Sequence, residues 1–244
     1  MTRKSKIEKL IENGDKSLLS RRSGIGICNI LTFLNWYPEV IHQVGVGVNA
    51  EEWQCLDFLC DQPEFFAVEP HPQSFLNLQE KYPGEMLPIA FSNYCGSGTL
   101  YWRNRHKDGA SLLPHEGTIA DGYDQSVPII VRQLDKVWEP VPDKKSLLWL
   151  DCEGTERKVL DCATEFLKHT DMINVELTSN PPGLGWDTPI QIHEILHRFG
   201  FVRQFFHTTK AYAGQVDCVY VKRKLFDSRW CTCPFTLKMM EHDT

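Results

Sequence analysis

The chain has no long hydrophobic run. Its longest uncharged stretch, Ser23 to Pro38, is interrupted by Gly24, Gly26, Asn29, Asn35 and Pro38. That is too short and too polar to span a bilayer. Charge of neither sign dominates. A net charge of -6 over 244 residues supplies no general attraction to nucleic acid or to an anionic membrane, so neither is an expected partner. The opening Met1-Thr2-Arg3-Lys4-Ser5-Lys6 is not followed by an apolar core and a cleavage site. No secretory leader is therefore expected, and a cytoplasmic location is. Internal repeats and low-complexity tracts are absent. The 9 cysteines are odd in number and scattered from Cys28 to Cys233, which reads as reduced thiols rather than a disulfide framework. Cys231 and Cys233 lack a second cysteine pair or a nearby histidine to complete a metal-ligand set.

What the chain does have is one domain's worth of alternating strand and helix patterns. Lys4 to Asn13 carries Ile7, Leu10 and Ile11 at helical spacing before Gly14, and Ile27 to Trp36 predicts a second helix ended by Pro38. Apolar strands are predicted at Glu39–Val44, Phe65–Val68, Leu87–Phe91, Leu147–Leu150 and Met172–Leu177. Helices are predicted at Trp53–Cys60, Pro72–Lys81, Glu156–Leu167 and Pro189–Phe199. Thr99–Arg103 and Val127–Val131 read as an antiparallel annex, and Phe201–Phe206 with Val216–Val221 as a closing hairpin. The pattern implies a Rossmann-like, doubly wound α/β fold. Its sheet is mostly parallel and seven-stranded, with a terminal antiparallel hairpin strand and a small β-annex. The expected division is a helical extension or cap over residues 1–38, the catalytic domain over 39–225, and a tail over 226–244.

The chemistry gathers where the strands end. Gln43-Val44-Gly45-Val46-Gly47-Val48-Asn49 leads a hydrophobic strand into a glycine turn, which lets a ligand approach the backbone. The acid of Val68-Glu69-Pro70, at the end of the next strand, can accept both hydroxyls of a ribose. Ser92 and Asn93 end the third strand, Asp151 and Glu153 the fourth, and Glu176 lies near the end of the fifth. Open α/β sheets bind ligands on that rim. Two cofactors compete for it. The segment Gly45 to Ala50 satisfies a dinucleotide fingerprint with Glu69 lying 24 residues past Gly45, which suits NAD and an oxidoreductase. The acid-proline step and the acidic motif after strand four favour S-adenosylmethionine.

These segments resemble the FkbM-type methyltransferases of the class I, S-adenosylmethionine-dependent fold. The resemblance rests on Val44-Gly45-Val46-Gly47, Val68-Glu69-Pro70-His71-Pro72, Ala90-Phe91-Ser92-Asn93 and Gln133-Leu134-Asp135. Above all it rests on Leu150-Asp151-Cys152-Glu153-Gly154-Thr155-Glu156. Val175-Glu176-Leu177 and the late strand Val216 to Val221 follow in family order. The resemblance implies O-methyl transfer to a carbohydrate, or to a glycosylated or polyketide-like metabolite. It implies a cofactor site at Gln43, Gly45, Gly47, Asn49, Glu69, Pro70, Ser92, Asn93 and Asp151. Asp151, Glu153 and Glu176 are the acids that would orient the acceptor hydroxyl or take its proton, and magnesium between such carboxylates is a further option. Gln43 stands where the family usually has an acid, and Asn49 where a third glycine is common. A degenerate relative that binds cofactor without turnover is the non-enzymatic alternative.

Three other features draw the eye. His193-Glu194-Ile195-Leu196-His197 matches a zinc-peptidase pattern. However, Ile192, Ile195, Leu196 and Phe199 form a core-facing stripe that puts both histidines on a flank. The basic strip Arg103-Asn104-Arg105-His106-Lys107 is either a site for an anionic acceptor or a solvated hairpin. The loop from Asn180 to Trp186 either closes over substrate, with Trp186 stacking on a sugar ring, or is a rigid connection.

Overall fold

The structure is a computed structural model, and it describes residues 22–47, 52–104, 106–114, 123–178, 185–207 and 215–225. The expected helix at Lys4–Asn13, the tail from residue 226, and Asn49 lie outside those residues. In chain order the first elements are α1 (Arg22–Leu34), β1 (Val40–Val44), α2 (Glu52–Leu59), β2 (Glu64–Val68), α3 (Pro72–Leu78), β3 (Glu85–Leu87) and β4 (Ile89–Phe91). There follow β5 (Gly96–Arg103), β6 (His106–Ser111), β7 (Gln125–Arg132), β8 (Ser146–Leu150), α4 (Glu156–Asp161) and α5 (Thr164–His169). The last are β9 (Met172–Thr178), α6 (Pro189–Arg198), β10 (Phe201–His207) and β11 (Gln215–Lys222).

The main sheet has seven strands in the order β3-β2-β1-β8-β9-β11-β10. The strands from β3 to β9 are parallel, and β11 runs antiparallel to both β9 and β10. Both faces are covered, so strand residues alternate between two cores. Leu147 and Trp149 of β8 join Ile41, Phe65, Leu31 and Leu56 on one side. Leu148 and Leu150 join Val44, Ile173, Leu160 and Leu196 on the other. A central strand buried on both faces needs a continuous apolar run, which is what Ser146-Leu147-Leu148-Trp149-Leu150 supplies. Helix α1 buries Ile27 and Leu31 in the first of these cores, so it packs as a layer against the sheet.

A second, four-stranded sheet runs β4-β7-β5-β6. It is the expected annex, enlarged by two strands. Leu87–Phe91 is expected as one strand, but it divides. β3 adds to the main sheet beside β2, while β4 pairs with β7 in the annex. Pro88 stands at the break, where its missing N–H cannot continue a ladder. The helix expected over Glu156–Leu167 also divides, into α4 and α5. The Asp135 carboxylate accepts from the backbone N–H groups of Glu165 (2.9 Å) and Phe166 (3.0 Å) and so starts a new helix there. No helix among the described residues is long and apolar enough to cross a membrane.

Candidate active site

Because β1, β2, β8 and β9 are parallel, their carboxyl ends share one rim. The turn after β1 is shaped by contact with β8. Gly45 has φ +79°, and a Cβ placed on it would lie 1.9 Å from the carbonyl oxygen of Asp151. Only glycine permits that approach, which is tied by hydrogen bonds from Asp151 N to Val44 O (2.9 Å) and from Gly45 N to Val68 O (3.0 Å). Glu69 then closes the turn. Its Oε2 accepts from the backbone N–H groups of Val46 (3.0 Å) and Gly47 (2.7 Å), and its Oε1 accepts from His71 N (2.8 Å). The acid expected to receive ribose hydroxyls is thus also the brace of the glycine turn.

Opposite lies the loop that leaves β8. Glu153 has φ +51°, in the left-handed region that costs a non-glycine residue about 1 kcal/mol or more. Several bonds hold it there. Cys152 N (2.8 Å) and Gly154 N (3.3 Å) both donate to Glu156 Oε1, Thr155 Oγ1 donates to Cys152 O (3.1 Å), and Asp187 N donates to Gly154 O (3.2 Å). Trp186 is buried over Gly154, where a Cβ would sit 2.3 Å from its ring. Its ring therefore braces the loop, and a face stacked on a sugar is not what this packing offers. Residues 179–184, the rest of that loop, are outside the described residues.

Between the two loops is a cavity of about 260 Å³. Gly45, Gly47, Glu69, Pro70, Asp151 and Glu153 line it, and Cys152 and Thr155 join them. The annex supplies Leu100, Ala110 and Leu112 as an apolar wall. Asp151, Glu153 and Glu176 each offer a carboxylate oxygen within 4.8 Å of the others. That spacing lets them share a hydroxyl, a proton or a divalent cation. Glu176 Oε1 accepts from Gln215 Nε2 at 2.8 Å, which orients it from β11.

Other expected residues sit elsewhere. Gln43 is buried on the opposite side of β1 from Val44, and its Oε1 accepts from Tyr82 OH at 3.4 Å. Ser92 is buried with its N–H on Arg132 O (3.0 Å), and the carbonyl of exposed Asn93 accepts from Gln133 Nε2 (3.0 Å). None of the three lines the cavity. Ile192, Ile195 and Leu196 are buried as the helical stripe requires, and His193 lies tilted beside Tyr220, 6.1 Å between ring centroids. Among the described residues, no group of three potential metal ligands includes His193 or His197.

In the 151–156 segment, burial shifts Glu156 and Cys152. Burial raises the Glu156 carboxyl to about 7, against hydrogen bonds from Cys152 and Gly154 that pull it down. Burial first, then the charges of Glu156, Asp151 and Glu153, push the Cys152 thiol well above its usual range, so it sits in the cavity wall as a neutral thiol. Because the folded Glu156 holds its proton more tightly than the unfolded one, its contribution to stability falls as pH rises from about 4.5 to about 7. Glu156→Gln keeps an acceptor oxygen and cannot ionise. Relative to the parent protein, it is expected to gain on the order of 2 kcal/mol between pH 5 and pH 8 in urea unfolding. Glu156→Ala cannot ionise either but leaves two amides without an acceptor, so relative to Glu156→Gln it is expected to lose about 2 kcal/mol at both pH values. Parallel pH profiles for parent and Gln variant would contradict the assignment.

The strand order, 3-2-1-4-5-7-6 when the main-sheet strands are counted along the chain, and the glycine turn facing an acidic loop define the class I methyltransferase fold. The Methyltransferase FkbM domain model matches residues 46–207 of the 244, and the chain belongs to that family. A methyltransferase FkbM from Methylobacillus flagellatus KT is similar at 14% identity and a TM-score of 0.50, over 75% of this chain and 43% of that one. The chain thus spans less than half the length of that relative. A magnesium protoporphyrin IX methyltransferase from Synechocystis PCC 6803, solved with bound SAH, aligns with a TM-score of 0.49 at 8% identity, over 83% of each chain. A 1,6-didemethyltoxoflavin-N1-methyltransferase from Burkholderia thailandensis aligns with a TM-score of 0.46 at 10% identity, over 90% of this chain and 86% of that one. No curated protein sequence matches the chain significantly.

Proposed function

We propose that the protein transfers a methyl group from S-adenosylmethionine to a hydroxyl of a carbohydrate, or of a glycosylated or polyketide-like metabolite. One observation carries this reading: the glycine turn braced by Glu69 and the loop bearing Asp151 and Glu153 face each other across a single cavity. The residues present fit a nucleoside cofactor. Gly45 and Gly47 expose bare backbone to the cavity, and Leu100, Ala110 and Leu112 form an apolar wall against which a base can lie.

Bound S-adenosylmethionine supplies an activated sulfonium methyl. The chain's own residues have to orient the acceptor and take its proton. Asp151, Glu153 and Glu176 converge on one point and, when ionised, can only accept, so they suit a donor-rich polyol. One of them would take the hydroxyl proton late in the transfer. The same three could hold magnesium, which would act by lowering the hydroxyl's hold on its proton. Residues 39–225 form the methyltransferase unit in this reading.

Calorimetry on the full chain tests it. S-adenosylhomocysteine is expected to bind saturably and NAD not to bind. A folded protein that binds neither S-adenosylmethionine nor S-adenosylhomocysteine sinks the reading, and saturable NAD binding points to an oxidoreductase instead. Cofactor binding with no methyl transfer across a broad panel of hydroxylated acceptors would mark a binding module. Parallel assays with and without a chelator decide the role of magnesium.

A further inference from the structure

The annex does more than wall the cavity. Ser111, at the end of β6 and 1% exposed, donates from Oγ to the carbonyl oxygen of Glu153 at 2.7 Å. This bond joins residues 42 apart in sequence and reaches the one residue of the loop that has a left-handed backbone without being glycine. Ser111 Oγ is itself held by the N–H of Leu113 at 3.1 Å. Tyr123, just before β7, hydrogen-bonds Ser111 and lies close to both Glu153 and Arg103. Since the single proton of Ser111 goes to Glu153, the phenol of Tyr123 is the donor in that pair. Burial first, then the charge of Glu153, raises the Tyr123 phenol, so it remains a neutral donor at physiological pH. The β6 backbone runs beside the carboxylate as well: a carbon added at Gly109 would lie 3.8 Å from Glu153 Oε1.

We infer that Ser111 and Tyr123 are positioning residues that clamp the Glu153 carbonyl to the annex and so fix where the acids of the 151–154 loop stand relative to the cavity. Glu156, Thr155 and Asp187 hold Cys152 and Gly154, and Val44 holds Asp151. The annex contact acts on the carbonyl of the strained residue itself. Without it, the peptide after Glu153 can turn over and carry the side chain away from Asp151 and Glu176. The consequence for methyl transfer rests on the proposed function; the clamp does not.

The experiment uses full-length protein and two readouts. Amide hydrogen exchange in the ligand-free protein is expected to speed up roughly tenfold at Cys152 and Gly154 in Ser111→Ala, with Leu148 and Leu150 of β8 unchanged. Calorimetry with S-adenosylhomocysteine is expected to show roughly fivefold weaker binding in a variant that still unfolds cooperatively above the assay temperature. Ser111→Thr keeps the hydroxyl and is expected to restore both values, whereas Ser111→Cys fills the same space with only a weak donor and is expected not to; rescue by Cys as well would mean a space-filling role. Should Ser111→Ala fail to fold, Tyr123→Phe tests the same chain, with an expected loss of roughly threefold in each readout. Unchanged exchange at Cys152 and Gly154 in the folded variant overturns the inference. So does acceleration that is equal in β8. If the parent protein does not bind S-adenosylhomocysteine, the methyl-donor reading fails, while exchange in the ligand-free protein still decides the clamp.

Discussion

Gly45→Ala is expected to abolish binding of S-adenosylhomocysteine and to lower folding stability by about 3 kcal/mol. Two costs add. A left-handed φ of +79° penalises any L side chain, by about 1–2 kcal/mol. The new methyl would also stand 1.9 Å from the Asp151 carbonyl oxygen, and a backbone atom cannot swing aside as a side chain can. The ends of β1 and β8 must therefore separate, weakening the bond from Asp151 N to Val44 O and opening the wall of the cavity. Overpacking of this kind typically costs about 1–3 kcal/mol. Gly200 is the control. It has φ +77°, but a Cβ there meets no heavy atom within 4 Å, so Gly200→Ala is expected to lose only about 1 kcal/mol and no cofactor affinity. Urea unfolding and calorimetry on both variants read the difference. Equal losses at the two positions would show that the close approach of β1 and β8 is not what the site depends on.

Glu69→Ala is expected to have an effect of similar size by another route. The carboxylate is 4% exposed and accepts three backbone N–H groups, two from the glycine turn and one from His71. Removing it leaves three donors without an acceptor, at a cost of about 3 kcal/mol, and frees the turn. Loss of the turn's geometry and of the acid proposed to face a ribose are expected to weaken S-adenosylhomocysteine binding by roughly 100-fold or more. Glu69→Gln separates the two roles. Its one oxygen can serve the glycine turn, but its amide group then faces His71 N donor to donor. An intermediate loss, roughly tenfold, is the expected result. Alanine and glutamine variants that bind the cofactor alike would mean that the brace contributes nothing to binding.

Several of these contacts explain sequence elements that carry no chemistry of their own. Asp135 of Gln133-Leu134-Asp135 caps α5, and Glu156 closes the loop that begins at Asp151. Both could be located in the sequence, Asp135 as an acid after an apolar strand and Glu156 as the last acid of Asp-x-Glu-Gly-x-Glu. Their partners could not. Asp135 reaches residues 30 and 31 positions away, and a sequence states no distance between such segments. Ser111 and Tyr123 left even less trace, because β6 lies in a stretch rich in Gly, Asp and His that reads as a loop. A serine with no apolar periodicity around it signals nothing until its partner is known.

The sequence by itself determined the alternation of strands and helices, the seven-stranded sheet with its antiparallel end, and the rim on which Gly45, Glu69, Asp151, Glu153 and Glu176 meet. These follow from local chemistry: apolar runs of strand length, glycine where the chain must turn, and acids where strands stop. Only the tertiary structure decided what each residue on the rim faces. Gln43 and Val44 are neighbours in sequence, yet one is buried against Tyr82 and the other borders the cavity. Successive strand residues point to opposite faces, and the covering elements choose which face holds the site. Trp186 turned out to hold a loop, and Glu69 to hold a turn, for the same reason. A side chain's role is set by the groups within hydrogen-bond or van der Waals reach, and those groups arrive only when distant segments fold together.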